Sequence, residues 1–299
     1  MATGETTSGS LSNALPTVYA EARAIREQKS GTWERTTMVK RQNEGEGLAY
    51  SWFTLNQIDA QNITETQTNN NFQQFAGSVQ STQSEMTQVI TKITDRTYRK
   101  VSKNVTGQIG PMAGHAMERK KNRDYLSLFT TFATTASPGT GNPLSHGHIA
   151  AAARNASSNT TEPAMSSIFS VLHGFQIYDL QLEVLAAIGT AAIPAGMTED
   201  VFRNGFKGQV AGSMVFEDGN IVPTSTPDAN GATHAREGVY SVMGMTLKRA
   251  TDRDHYFGGG ADVIILTDEY AFAENKSGTA GTTQVFAYRH LSDATAPTS

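Results

Sequence analysis

The sequence predicts an α+β protein with one over-long helix, and three observations carry that expectation. Tyr98, Val101, Val105, Ile109, Met112 and Ala116 step by 3, 4, 4, 3 and 4 residues, the period of one helix face, and the phase holds across Gly110-Pro111. Upstream, Leu48–Leu55 (LAYSWFTL) and Ser78–Thr91 read as strands flanking a neutral polar tract, Asp59–Gln74. Downstream of Ser137-Pro138-Gly139-Thr140-Gly141-Asn142-Pro143 the chain alternates short helical and strand patterns.

In chain order, Met1–Leu15 is polar and predicts disorder, Leu15–Glu27 a short helix, and Lys29–Glu46 a polar, turn-rich connection. The two strands about Asp59–Gln74 make a ribbon with a long polar tip. A two-stranded ribbon is marginal alone, so this arm is expected to project and be held by a neighbouring molecule. Thr94 is the expected N-cap of a single kinked helix to about Phe132, about 57 Å long at about 1.5 Å per residue, bent at Gly110-Pro111. Its stripe lapses over Glu118–Asp124, where the helix is expected to leave its own core.

Leu144–Ala156 predicts a second helix with Ile149, Ala152, Ala153 and Ala156 inward, Ile168–Leu172 a buried strand, and Gly174–Ile188 a third helix burying Ile177, Leu180, Val184 and Ile188. Gln209–Phe216, Ile221–Pro223, Ala261–Ala273 and Thr283–Arg289 predict strands, while Gly238–Leu247 fits strand or helix. Ser292–Ser299 reads as a frayed tail.

Composition narrows the function. Cysteine is absent, which excludes a disulfide framework and thiolate metal sites. No apolar run is long enough to span a membrane, and Met1–Ser12 lacks the basic and apolar regions of a secretory signal, so the five Asn-x-Ser/Thr sites (Asn62, Asn104, Asn155, Asn159, Asn275) are expected to be chance. Charged residues are 17%, against about 25% in an average soluble domain, which points to a surface covered by other copies or to a neutral-surfaced monomer. The net charge of −4 argues against a dedicated nucleic-acid binder. Yet Lys92–Asp124 holds nine Lys/Arg and three Asp/Glu, a local +6 against −10 elsewhere.

The order of elements resembles the HK97-type major capsid proteins of tailed double-stranded DNA phages. Four stretches carry the resemblance: Thr87–Phe129, similar to the family's strand and spine helix; Pro143–Leu180 (PLSHGHIAAAARNA, then EPAMSSIFSVLHGFQIYDL); Gly205–Val222 (GFKGQVAGSMVFEDGNIV); and the pair ADVIILTDEYAFAE and VFAYRH. It implies an N-terminal arm (1–47), an extended β-hairpin loop (48–91), the spine helix of a peripheral domain (92–136), an axial domain whose strands return to the peripheral domain (137–285) and a C-terminal strand end and tail (286–299). It also implies a non-enzymatic shell subunit without cofactor or metal, forming hexamers and pentamers of an icosahedral virion assembled in the host cytoplasm. Portal and scaffolding proteins, a decoration protein and packaged double-stranded DNA are the implied partners. A compartment shell of the encapsulin type, holding a cargo enzyme, is the alternative on the same fold. A hydrolase built on Asp252, Asp254 and His255 is a remote one.

The candidate contact residues follow. Arg119, Lys120, Lys121 and Arg123 would face DNA or a neighbouring copy, or form a solvated helix face. Tyr50 and Trp52 share one face of the first ribbon strand with Phe53 on the other, so one face is expected to anchor an interface and the other to bury in its own subunit. His146 and His148 lack a third ligand and predict an N-cap or solvent role. Asp252-Arg253-Asp254-His255 predicts an internally paired charged turn. Gly258-Gly259-Gly260 and Gly139-Thr140-Gly141 predict turns, since neither carries a phosphate-loop ending.

Overall fold

The computed structural model describes residues 5–6, 31–43, 45, 47–55, 57–66, 68–70, 72–100, 103–132, 135–160, 162–188, 208–224, 226–257, 259–276 and 285–297; the helix expected at Leu15–Glu27 lies outside them. Among the described residues the strands form two five-stranded sheets and one two-stranded ribbon.

The first sheet has the order β1 (Glu5–Thr6), β5 (Glu85–Thr94), β11 (Ala261–Glu274), β10 (Val239–Asp254), β2 (Met38–Arg41). Its spine is the antiparallel β10–β11 pair, thirteen matched positions from Val239↔Glu274 to Asp254↔Ala261, with bulges between Met243 and Lys248. The turn between them needs glycine. Gly260 sits at φ +115°, and a Cβ there would stand 2.8 Å from Asp95 Oδ2. β1 joins β5 in parallel, so Glu5 and Thr6 are ordered strand within the arm that the sequence marks as disordered. β2 and a short helix α1 (Thr32–Thr36) likewise replace the expected turn-rich connection.

The ribbon is β3 (Ala49–Leu55) paired in seven matched positions with β4 (Gly77–Gln83). Ser84 separates β4 from β5, so Ser78–Thr91 is two strands in two sheets.

The described part of the helical span is held by two segments on either side of residues 101–102, which lie outside the described residues. α2 (Asp95–Lys100) is capped by Thr94, whose Oγ1 accepts the Thr97 N–H at 3.3 Å, and α3 (Lys103–Ser127) runs on through Pro111 before a 3₁₀ turn at Leu128–Thr131. Of the expected stripe, Tyr98 and Met112 are exposed and Ile109 and Ala116 half-buried, and the side chains of Val101 and Val105 lie outside the described residues; the buried positions are Ala113, Met117, Lys121, Asn122, Tyr125, Leu126, Phe129 and Phe132. α3 packs Ala113 and Met117 on Leu266 and Val89 of the first sheet, and its last turns enter the main core with Trp33, Val171 and Val239. Glu118–Asp124 therefore does not leave the core. Lys121 donates to Asp268 at 2.6 Å and Asn122 to Asp218 at 2.7 Å, which satisfies both polar groups in burial.

The second sheet has the order β12 (Ala287–Asp293), β9 (Asp228–Ala235), β6 (Ile168–Leu172), β8 (Ser213–Glu217), β7 (Gln209–Val210). β7 and β8 form a hairpin through Ala211 (φ +49°) and Gly212 (φ +90°), where one strand was expected. Ile221–Pro223 is not a strand, and β12 starts later than expected and runs to Asp293, with Ala294 buried beyond it. α4 (His146–Ser157) packs Ile149, Ala152, Ala153 and Ala156 as its pattern predicts; α5 (Gly174–Ile188) packs Ile177 and Leu180, while the side chains of Val184 and Ile188 lie outside the described residues.

A buried polar chain fixes this sheet. His290 Nδ1 lies 2.6 Å from the Ala136 carbonyl, which only accepts, so Nδ1 carries the proton and Nε2 accepts from Thr233 Oγ1 at 2.7 Å. Thr233 then accepts from Ser170 at 2.6 Å, and Ser170 from Ser213 at 2.7 Å. In the same way His234 Nδ1 donates to the Ala235 carbonyl and its Nε2 accepts from Tyr125 OH at 2.7 Å. Complete burial pushes both imidazoles down to about 4, so each is neutral.

Candidate assembly surfaces

The ribbon has an inner and an outer face, set by strand alternation. On the inner face Trp52 meets Tyr240 edge-on at 5.0 Å and donates its indole N–H to Asn275 Oδ1 at 3.1 Å, with Tyr50 beside it at 6.2 Å. Tyr50 and Trp52 are therefore anchors within their own chain. Phe53, Leu55 and Val79 face outward, 59%, 59% and 68% exposed. Phe53 and Val79 are direct cross-strand partners, and Gly77 lies diagonally from Phe53: a Cβ on Gly77 would come 2.5 Å from that ring. The tip continues the apolar exposure with Ile58, Ile63, Phe72 and Phe75, the last two at 90% and 69%. An apolar face held rigidly outward, on an arm with no core of its own, suits contact with another molecule.

The basic candidates scatter. Lys121 is buried against Asp268, 5.2 Å from both the Trp33 and Tyr270 rings, and is engaged within its own subunit. Lys120 pairs with Asp124, which also accepts from Tyr270 OH at 2.7 Å. Arg119 is half-buried and Arg123 exposed. A second basic surface, not singled out by the sequence, is formed by exposed Arg96, Arg99 and Lys100 on α2.

The histidine and aspartate groups have structural roles. His148 completes a capping box with Ser145, and His146 contacts Glu183 at 2.9 Å. Asp252–Asp254 lies on the end of β10 and not in a turn. Arg253 reaches out to Asp95 and Asp262 at 2.7 and 2.8 Å, and Asp254 pairs with Lys92, so the internal pairing is replaced by links to β5, α2 and β11. Asp252 accepts the neighbouring Arg253 N–H at 2.8 Å while Asp254 is held by Lys92, and with His255 the two carboxylates form no metal-holding group. Among the described residues no cluster of three or more His, Cys, Asp or Glu is placed to hold a metal, and no helix is long and apolar enough to cross a membrane.

No protein-family model and no curated protein matches this sequence. Solved structures do. The head structure of Helicobacter pylori bacteriophage KHP40 superposes with a TM-score of 0.70 at 9% identity, covering 99% of this chain and 100% of that one. The fold is that of phage capsid subunits. A cyanophage Pam1 capsid chain matches with a TM-score of 0.69 at 9% identity over 98% and 99% of the two chains, and the capsid of Ralstonia phage GP4 with 0.66 at 12% over 95% and 96%. At such identities side chains are not shared, but the HK97-like capsid fold spans this chain nearly end to end.

Proposed function

We propose that the chain is the major shell subunit of a phage capsid, assembling as hexamers and pentamers into an icosahedral shell around double-stranded DNA. The single observation that carries this is the capsid fold over nearly the whole chain at matching length; the outward apolar ribbon supports it, because that surface has a use only when covered. The first sheet with α3 serves as the peripheral body, the second sheet with α4 and α5 as the axial body at the capsomer centre, and the β3–β4 ribbon as the extended loop. Many modest, repeated contacts add over a closed lattice, so none needs to be strong alone. Of the four basic α3 residues, exposed Arg123 and Lys120 fit non-specific contact with packaged DNA, whereas Lys121 does not. A filled shell also calls for portal and scaffolding proteins, and its outer surface offers decoration proteins a place to bind.

The test is assembly of the purified chain, alone and beside its scaffold, read by electron microscopy. Closed shells of uniform diameter are expected. Protein that stays monomeric across concentration and salt in both settings overturns the proposal, and shells that enclose a cargo enzyme and no DNA assign the subunit to a compartment of the encapsulin type.

A further inference from the structure

α4 ends where the chain turns back over it. The Ser158 N–H closes onto the Arg154 carbonyl at 2.8 Å, the Glu162 N–H donates to Asn159 Oδ1 at 3.2 Å, and the Ala164 N–H reaches the Ala156 carbonyl at 2.9 Å. From β12 the Tyr288 ring packs against Ala152 and Ala156, both fully buried and small enough to leave it room. Beside this fold-back lies a cleft of about 430 Å³ lined by Arg154, Asn155, Ser158, Asn159, Thr160 and Tyr288. Tyr288 is only 6% exposed and makes the floor, while Arg154, Asn155, Ser158 and Thr160 are exposed and make the rim.

The cleft is lined by donors that nothing uses. Among the described residues the side chains of Arg154, Asn155, Ser158, Thr160 and Tyr288 make no hydrogen bond or ion pair, and only Asn159 is engaged. A buried tyrosine ordinarily finds a partner for its hydroxyl. Here the ring is committed to the alanine slot and the hydroxyl is left for whatever fills the cleft. No Asp or Glu lines it, so a metal ion or an ammonium group has no counter-charge there. A guanidinium, a carboxamide and three hydroxyls can all donate, and together they call for an acceptor-rich anion. A carboxylate offers two oxygens in one plane. Five donor groups set round a cleft match the three or four oxygens of a tetrahedral phosphate better. The C-terminal end of α4 carries partial negative charge, which opposes any anion. Its Arg154 and Ala156 carbonyls are already spent on N–H groups, however, and the full charge of Arg154 outweighs the remainder.

We propose that this cleft is a phosphate-binding site. Arg154 grips two phosphate oxygens in a fork, the Tyr288 hydroxyl donates from the floor, and Asn155, Ser158 and Thr160 donate from the rim. Inorganic phosphate, the terminal phosphate of a nucleotide and the backbone of a nucleic acid share the chemistry that these donors recognise. The site is complete within one chain and does not depend on the shell-subunit reading. It is also separate from Lys120 and Arg123, since none of its residues lies on α3.

The test is isothermal titration calorimetry of the purified chain with inorganic phosphate, at an ionic strength held constant with chloride. Saturable binding with a Kd on the order of 1 mM is expected. Arg154→Gln should weaken it at least about 10-fold, because a charge-assisted fork is lost. Tyr288→Phe keeps the ring in its slot and loses one hydrogen bond, so it should weaken binding about 5-fold. Arg96→Gln, at an exposed arginine on α2, should bind as wild type does, and all three variants should keep the wild-type melting temperature in chloride. Titrations with a nucleoside monophosphate and with a DNA duplex lacking terminal phosphates separate the sources. Tighter binding of the monophosphate than of inorganic phosphate supports a nucleotide as the ligand. Duplex binding that weakens in both Arg154→Gln and Tyr288→Phe supports the diester backbone. Phosphate that gives no saturable binding, or that binds equally to wild type, Arg154→Gln and Tyr288→Phe, overturns the proposal.

Discussion

Replacing Trp52 with alanine should loosen the ribbon and leave the body intact, and the size of the effect follows from its contacts. The edge-on pairing with Tyr240 at 5.0 Å is worth about 1 kcal/mol beyond burial. The indole hydrogen bond to Asn275 at 3.1 Å adds about 1 kcal/mol. Trp52 is half-buried, so truncation returns roughly 80 Å² of apolar surface to water, about 2 kcal/mol at about 25 cal/mol per Å². The sum, about 4 kcal/mol, is an upper bound because the opened ribbon keeps some contacts of its own; about 3 kcal/mol is the working figure. Local opening of the ribbon should then be about 150-fold more frequent. Hydrogen exchange reads this directly: amides of Ala49–Leu55 and Gly77–Gln83 should exchange about 100-fold faster in Trp52→Ala, while those of β6 and β9 keep their wild-type rates. A change below about 5-fold in the ribbon, or equal acceleration throughout the chain, would refute the view that Trp52 pins a separately opening arm.

Other consequences are as specific. Phe53→Ser with Val79→Ser should leave the melting temperature of the free subunit within a degree or two, since both side chains are mostly exposed, yet block assembly. Lys121→Met strands Asp268 in a buried site and should cost about 3–5 kcal/mol in urea unfolding, with much of the loss recovered by adding Asp268→Leu. His234 and His290 have folded pKa values near 4, below the usual 6.5, so the unfolded chain binds more protons as pH falls. Their stabilisation is whole above about pH 6.5 and is lost towards pH 4, up to about 3 kcal/mol each. Glu274, pushed up to about 7 by burial, acts in the opposite sense and offsets part of this as pH falls below 7. The steepness of the stability–pH curve in wild type minus that in His290→Asn isolates one imidazole, and a zero difference between pH 6.5 and 4.5 would show that His290 is not held neutral.

The ribbon, α4, α5, β6 and β11 were legible because each carries its own period in consecutive residues. The span of α2 and α3 was legible as helix but not as a surface. Its apolar residues fit a face through Tyr98 and Met112, whereas the true face passes through Lys121 and Asn122, whose partners Asp268 and Asp218 lie far away in sequence. β9 (DANGATHA), to which the sequence reading assigns no element, is an interior strand. Its glycine is needed because a Cβ would meet Leu172 Cδ2 at 2.6 Å. The β7–β8 hairpin turns on Ala211-Gly212, without the asparagine that usually signals such a turn. The outward face of Phe53 and Val79 follows from alternation once the β3–β4 register is known, but register is a property of the pair and not of either strand.

The central claim is that this subunit exists to build a closed shell. Electron microscopy of the purified chain, concentrated with and without its scaffold, tests it most directly. Uniform closed particles with hexameric and pentameric capsomers are the expected result, and a chain that remains monomeric under every condition, with its ribbon face still exposed, would contradict it.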